Sequence, residues 1–186
     1  MRLIGISGSL RAGSYNTALL RAAQGMTPEG VELVEGSIRG IPLYDGDLEA
    51  AEGLPQAVVR LKDQIAESDG LILFTPEYNN GVPGVFKNAV DWLSRPASDI
   101  GRVFGSKPVA VLGASPGGFG TILSQAAWLP ILRTLGTAPW FEGRLMVARA
   151  GSVFDAEGQL VDDETGKRLA DFVSGFAAHC RAGHRA

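Results

Sequence analysis

The chain has 186 residues, 45% of them hydrophobic, 20% charged and 8% aromatic, which is the composition of a globular domain and not of a disordered segment. Its formal net charge of −3 excludes the basic excess that nucleic-acid surfaces carry and points to a small-molecule partner. A single cysteine, Cys180, excludes an intrachain disulfide framework and any thiolate metal cluster. The N-terminus begins directly on a strand-like run, and no stretch of about eighteen apolar residues occurs. The expectation is one domain over residues 1–186, cytoplasmic, with no membrane or nucleic-acid partner.

Leu3-Ile4-Gly5-Ile6 is short and apolar, whereas Ala18-Leu19-Leu20-Arg21-Ala22-Ala23 consists of strong helix formers. Residues 7–16 therefore join a buried strand to a helix. Val31-Glu32-Leu33-Val34 alternates as a second strand, and residues 36–53 read as a long connection rich in glycine and acidic residues, anchored by Ile41-Pro42-Leu43-Tyr44. Leu54, Val58, Leu61 and Ile65 recur at helical spacing behind Pro55, a good helix-start residue. Leu71-Ile72-Leu73-Phe74 is a continuous apolar run, as expected of a strand covered on both faces.

That third strand ends in a loop of turn formers, residues 75–81, before a helix starting at Pro83 with Phe86, Ala89, Val90 and Leu93 on one face and Trp92 beside it. Arg95-Pro96 stops it. Val109-Ala110-Val111-Leu112 is a fourth strand leading into the Gly-rich residues 113–120. The helical stretch 122–135 is interrupted by Pro130 and apolar nearly all round, so it is either fully buried or packed on another subunit, with Trp92 and Trp128 expected to be shielded by that contact. Leu145-Met146-Val147-Ala148 is a fifth strand. Leu169, Phe172, Val173, Phe176, Ala177 and Cys180 mark a last amphipathic helix, with residues 181–186 expected to fray.

Five strands alternating with helices imply a doubly wound α/β fold: a parallel sheet, helices on both faces and right-handed crossovers. In such sheets ligands bind at the carboxyl ends of strands near the point where strand order reverses. In a 2-1-3-4-5 order, the loops after strands one, three and four are neighbours there. The first has the makings of an anion site: a helix N-terminus with unpartnered N–H groups, glycines at 8 and 13, hydrogen-bonding Ser9, Ser14 and Asn16, and the planar cation of Arg11. Read structurally, Ser14 is simply a helix cap and Arg11 a solvated cation.

Three rival chemistries fit less well. Gly113-Ala114-Ser115-Pro116-Gly117 matches a G-x-S-x-G nucleophile elbow, with Asp155 or Asp162 and His179 or His184 following in hydrolase order. The residue after the nucleophile must give its N–H to the oxyanion, and Pro116 has none. The first loop lacks the Gly-Lys-Ser/Thr ending of a nucleotide triphosphatase, and the two histidines form no metal cluster. Cys180 falls on the apolar stripe of its helix, as a packed thiol does. What suits the three loops is a ligand with a phosphate at one end and a flat, hydrogen-bonding body at the other, which is the shape of flavin mononucleotide (FMN). Loop one would hold the phosphate, loop two would place backbone groups and Tyr78 along the body, and Ser115, Gly117 and Gly118 would offer amides to its rim.

Gly8-Ser9-Leu10-Arg11 with Ser14 and Asn16, then Pro76-Glu77-Tyr78-Asn79 with Pro83, Lys87-Asn88-Ala89 and Asp91-Trp92, then residues 113–118, together resemble the NAD(P)H-dependent FMN reductase family, which includes chromate, quinone and azo-dye reductases. The likeness runs from the first strand to about Gly136. It implies a flavodoxin-like fold and FMN bound by Ser9, Arg11, Ser14, Asn16, Pro76, Glu77, Tyr78, Asn79, Ser115, Gly117 and Gly118. It also implies NADPH or NADH as co-substrate, a small-molecule acceptor, and a homodimer or homotetramer. The implied reaction is a ping-pong relay from nicotinamide through flavin to acceptor, in which the protein orients and polarises and no side chain acts as acid, base or nucleophile. Many members carry Arg-Ala-Gln in the helix after loop three, where this chain has Leu123-Ser124-Gln125. The other reading of an FMN site at this edge is a flavodoxin-type electron carrier; Arg11 and the modest charge favour the reductase.

Overall fold

The computed structural model describes residues 1–183. Each apolar run becomes a strand in the expected order: β1 (Arg2–Ser7), β2 (Glu32–Gly36), β3 (Gly70–Phe74) and β4 (Pro108–Ala114), all parallel. The sheet runs β2-β1-β3-β4 and then a fifth position filled by two short segments, β5 (Ala138–Pro139) and β6 (Leu145–Val147), both parallel to β4. This is the flavodoxin-like 2-1-3-4-5 order. The split of the fifth strand was not expected. Pro139 cannot donate to a ladder, and between the two segments Trp140 folds over Gly143, where a Cβ would lie 2.1 Å from the indole.

Helices α1 (Tyr15–Gln24) and α7 (Asp163–Gly183) cover one face of the sheet, burying Leu19, Leu20, Phe172 and Phe176 with Phe74 and Leu112. On the other face α3 (Gln56–Ala66), α4 (Gly84–Leu93) and α6 (Ile122–Thr134) bury Leu61, Ile65, Phe86, Trp92 and Trp128 against Ile4, Ile6 and Leu73. Full burial of each large apolar side chain stabilises by about 1.5–3 kcal/mol before entropy is counted. Cys180 lies inside the first of these cores, and burial pushes its thiol up to about 12, so it packs as a neutral hydrophobe.

Several expectations needed revision. The long connection after β2 contains a helix, α2 (Gly46–Glu52), and a short α5 (Ile100–Phe104) follows α4. The signals for α2 are polar ones: Asp45 caps it through the N–H of Asp47 at 2.9 Å, acidic residues fill its first turn, and Gly53 ends it at φ 75°. It buries no residue, which is why hydrophobic periodicity passes over it. Pro130 does not interrupt α6; the carbonyl of Ala126 that loses its partner is on an exposed residue, where water can satisfy it. Nor is α6 fully buried: Ile122, Leu123 and Leu129 are exposed. Trp92 and Trp128 are wholly buried inside the single chain, so their shielding requires no subunit contact. Residues 181–183 continue α7, and Arg181 donates to Glu29 O at 3.1 Å; His184 and the rest of the expected frayed tail lie outside the described residues.

Candidate functional site

Three loops leave the same edge of the sheet, and the first residue of each is pinned to a neighbouring strand. Gly8 N–H donates to Phe74 O at 2.9 Å, Thr75 N–H to Leu112 O at 2.8 Å, and Ser115 N–H to Val147 O at 3.0 Å. Gly8 is required sterically, since a Cβ there would lie 2.1 Å from the ring of Phe86 on α4. Asn16 then locks loop one to loop three. Its Nδ2 donates to Ala114 O and its Oδ1 accepts from Ala114 N–H, both at 2.9 Å and both buried. The amide thus satisfies the edge of β4 beyond the point where β3 has ended, and its role is to hold the site's walls together.

Ser14 caps α1, accepting from Thr17 N–H at 3.3 Å with extended backbone, so the structural reading of that residue is true. It does not compete with ligand binding, because the cap aims the first turn of α1 into the space between the loops. Arg11 is exposed at the mouth of that space. Its Nη2 donates to Gly13 O at 2.6 Å and its guanidinium lies 5.7 Å from the centre of the Tyr15 ring, while its backbone N–H donates to Ser9 Oγ. The Arg11 head is therefore oriented by neutral partners and carries its full charge at the entrance.

The second loop is held from behind. Glu77 Oε2 accepts from the N–H groups of Leu123 and Ser124, each at 2.9 Å, and so places a carboxylate on the N-terminus of α6. In the sequence Thr75 is one turn former among several, yet in the fold it is a buried hub: its hydroxyl contacts Ser124 Oγ at 2.9 Å, donates to Pro76 O at 3.0 Å and accepts from Trp128 Nε1 at 3.0 Å. At the tip, Tyr78 and Gly81 pair as a two-residue hairpin around Asn79 (φ 49°) and Asn80 (φ 61°), a left-handed conformation that asparagine tolerates. The hairpin presents Tyr78 to solvent at 56% exposure. Two residues of the downstream motif also serve the frame, since Asn88 Nδ2 and Trp92 Nε1 both donate to Pro42 O.

In loop three the expected offer of the Ser115 amide does not hold, because Val147 O occupies it. Its hydroxyl donates to Gly120 O at 2.5 Å. This also disposes of the nucleophile elbow. On α7, His179 stacks on Phe176 and meets Trp140 at a tilt, while Asp155 and Asp162 accept from backbone N–H groups of their own turns. No group of three or more metal-ligating side chains occurs among the described residues, and none of their helices is long and apolar enough to cross a membrane.

The loops enclose a cleft of about 430 Å³ lined by Ser9, Arg11, Ser14, Asn16, Pro76, Glu77, Tyr78 and Ser115, with Tyr15, Ala114 and Pro116. Of the predicted site residues, Asn79, Gly117 and Gly118 fall outside this lining; the two glycines are exposed on loop three. Tyr15, missed in the sequence, stacks on Phe154 at 5.9 Å and forms the wall below Arg11. A separate groove of about 370 Å³ between α6 and the β5–β6 edge is walled mainly by Val109, Val111, Leu129, Leu132, Trp140 and Phe141. Its lining is mostly apolar, with Gln125 and Arg144 as its polar side chains, whereas the strand-end cleft gathers the three loops, so the strand-end cleft is the candidate site.

Residues 1–152 match the family described as NADPH-dependent FMN reductase. The chain belongs to the NADPH-dependent FMN reductase family. It is 45% identical over 164 residues to an NAD(P)H-dependent FMN reductase of Pseudomonas aeruginosa, covering 88% of this chain and 86% of that protein. It is 35% identical to a 2-hydroxy-1,4-benzoquinone reductase of a Burkholderia species, over 97% of both chains. The solved structure of FerB, a flavoenzyme NAD(P)H:(acceptor) oxidoreductase from Paracoccus denitrificans, superimposes with a TM-score of 0.86 at 34% identity, covering 97% of each chain. The protein is thus an NAD(P)H-dependent reductase enzyme of the FMN reductase family with the flavodoxin-like fold.

Proposed function

We propose that the strand-end cleft binds FMN and that the enzyme passes electrons from NADPH or NADH to a quinone-type acceptor. The observation that carries this reading is the donor set of loop one. A capped helix N-terminus, the Ser9 hydroxyl and Arg11, which has no carboxylate partner, line the same cleft, a donor set that suits a phosphate. From loops two and three, Pro76, Tyr78, Ala114 and Pro116 add largely apolar walls suited to an isoalloxazine ring.

FMN, when bound, supplies the two-electron chemistry that links a nicotinamide to an acceptor. The protein's own share is placement. The Asn16–Ala114 clamp and the Glu77–α6 contact fix the cleft walls, and the exposed Tyr78 hairpin leaves room for a second flat molecule to enter. No acid or base is required of these side chains. The relatives' names favour a quinone, with azo compounds and chromate as further acceptors for the same open face. The outward apolar residues Phe119, Ile122, Leu123, Leu129 and Phe141 support a homodimer or homotetramer, and sedimentation at micromolar concentration should find no monomer.

The test is direct. Purified protein should be yellow, should be bleached anaerobically by NADPH or NADH, and should regain colour on addition of a benzoquinone. A bound flavin that neither nicotinamide reduces would replace the enzyme with a flavodoxin-type electron carrier.

A further inference from the structure

Behind the first loop lies a second recess, of about 290 Å³. Ser9 and Arg11 line both it and the strand-end cleft, so the loop is a shared wall. The recess is bounded by α1 and by the turn after β2, and three arginines, Arg11, Arg21 and Arg39, line it, with Glu35 the acidic residue of its lining. On its floor the hydroxyls of Ser7 and Thr17 pair at 2.9 Å.

Among the described residues, the ion pairs within 4.0 Å use Arg2, Lys62, Lys87, Arg95 and Arg102 and none of these three arginines. Backbone carbonyls orient two of them instead. Arg39 Nη2 donates to Leu10 O at 2.6 Å, and Arg11 Nη2 to Gly13 O at 2.6 Å. A carbonyl aims a guanidinium without cancelling its charge, and with Arg11 committed to the flavin phosphate, Arg21 and Arg39 still outnumber Glu35, so the recess keeps a positive excess in a concave setting that favours an anion.

We propose that this recess takes the 2′-phosphate of NADPH, a phosphomonoester dianion, and so makes the enzyme prefer NADPH to NADH. The inference rests on the reading of the neighbouring cleft as a flavin site that a nicotinamide visits. A dinucleotide carries its 2′-phosphate at the end remote from the nicotinamide, and a recess sharing a wall with the flavin cleft is placed to receive that end. NADH presents a neutral hydroxyl there and gains no charge-assisted bond.

Flavin-loaded protein, in which the phosphate end of the cleft is filled, should be titrated calorimetrically with 2′,5′-ADP, 5′-AMP and inorganic phosphate. The native chain should bind 2′,5′-ADP about ten- to a hundred-fold more tightly than 5′-AMP. The double variant Arg21→Gln/Arg39→Gln should lose that preference, with its KM for NADPH rising by a larger factor than its KM for NADH. Arg39→Gln also removes a bond to loop one, so Arg21→Gln alone is the control; it should lose part of the preference with flavin affinity unchanged. Equal affinity for the two nucleotides, a preference that survives the double variant, or inorganic phosphate binding as tightly as 2′,5′-ADP would each overturn the proposal. A colourless protein counts against the flavin reading and absent discrimination against the subsite, so the two failures are distinct.

Discussion

The cations of this protein divide into two regions with opposite logic. Around α3 and α5, Lys62 is buried and pairs with Asp99 at 2.7 Å while donating to Arg95 O, and Arg102 holds the same Asp99 at 2.7 Å and Asp63 at 3.0 Å. Around loop one, Arg11, Arg21 and Arg39 face two recesses with no carboxylate partner within ion-pair distance. Paired charges specify how segments dock; unpaired charges held in place by carbonyls are available to something that arrives from solution. The comparison separates residues that build the molecule from residues that await a ligand, and substitutions in each region should fail in different ways.

The largest effect is expected at Asp99. Its guanidinium contact with Arg102, and then the ammonium of Lys62, hold its carboxyl well below the usual carboxylate range. Asp99→Asn removes the charge that balances the buried Lys62 ammonium and leaves it neutral oxygen acceptors alone, which should cost about 3–5 kcal/mol in urea unfolding, with flavin affinity intact. The pH dependence follows from the sign of the shift. A carboxyl depressed in the folded state contributes stability above its unfolded value, about 3.9, and that contribution fades as pH falls through the lower folded value. The native chain should therefore lose stability in acid more steeply than Asp99→Asn. A loss near zero for the variant would erase the distinction between the two regions.

Arg11 should behave in the reverse manner. Arg11→Ala should weaken FMN binding by about 1.5–3 kcal/mol, roughly ten- to a hundred-fold, and leave apoprotein stability within about 0.5 kcal/mol. Unchanged affinity measured by fluorescence titration would remove Arg11 from the phosphate end. Arg11→Lys should recover only part of the loss, because a point charge does not reproduce the planar fork.

The difference between the regions also explains what could be read from the sequence. Strand runs such as Leu71-Ile72-Leu73-Phe74 and stripes such as Val58, Leu61 and Ile65 advertise burial by composition and period, so sheet order and the strand-end cleft were legible. Loop one was legible because a strand–turn–helix junction exposes its donors locally. Polar contacts across long sequence separations carry no such period. The Asn16 clamp on Ala114, the Glu77 cap on α6, the Thr75 hub and the arrival of Arg39 beside Leu10 depend on the fold being already assembled. Helix α2 escaped for the related reason that its caps, and no buried stripe, define it.

Glu77 stands between the two regions and yields the smallest effect. It belongs to a motif that the family resemblance links to the cofactor, yet its carboxylate is spent on the N–H groups of Leu123 and Ser124. Thr121, at the N-cap of α6, makes no side-chain cap, so Glu77 supplies that function from another loop. Glu77→Ala should cost about 1–2 kcal/mol of stability, the value of a lost cap, and Glu77→Gln less, since one amide oxygen still accepts while the attraction of the charge for the helix dipole is gone. If the contact also sets the position of Pro76 and Tyr78, the flavin dissociation constant should rise in the same order, Ala above Gln above Glu. Were both variants to lose flavin equally while unfolding like the native chain, Glu77 would act on the ligand directly, and the cap on α6 would be incidental to the site.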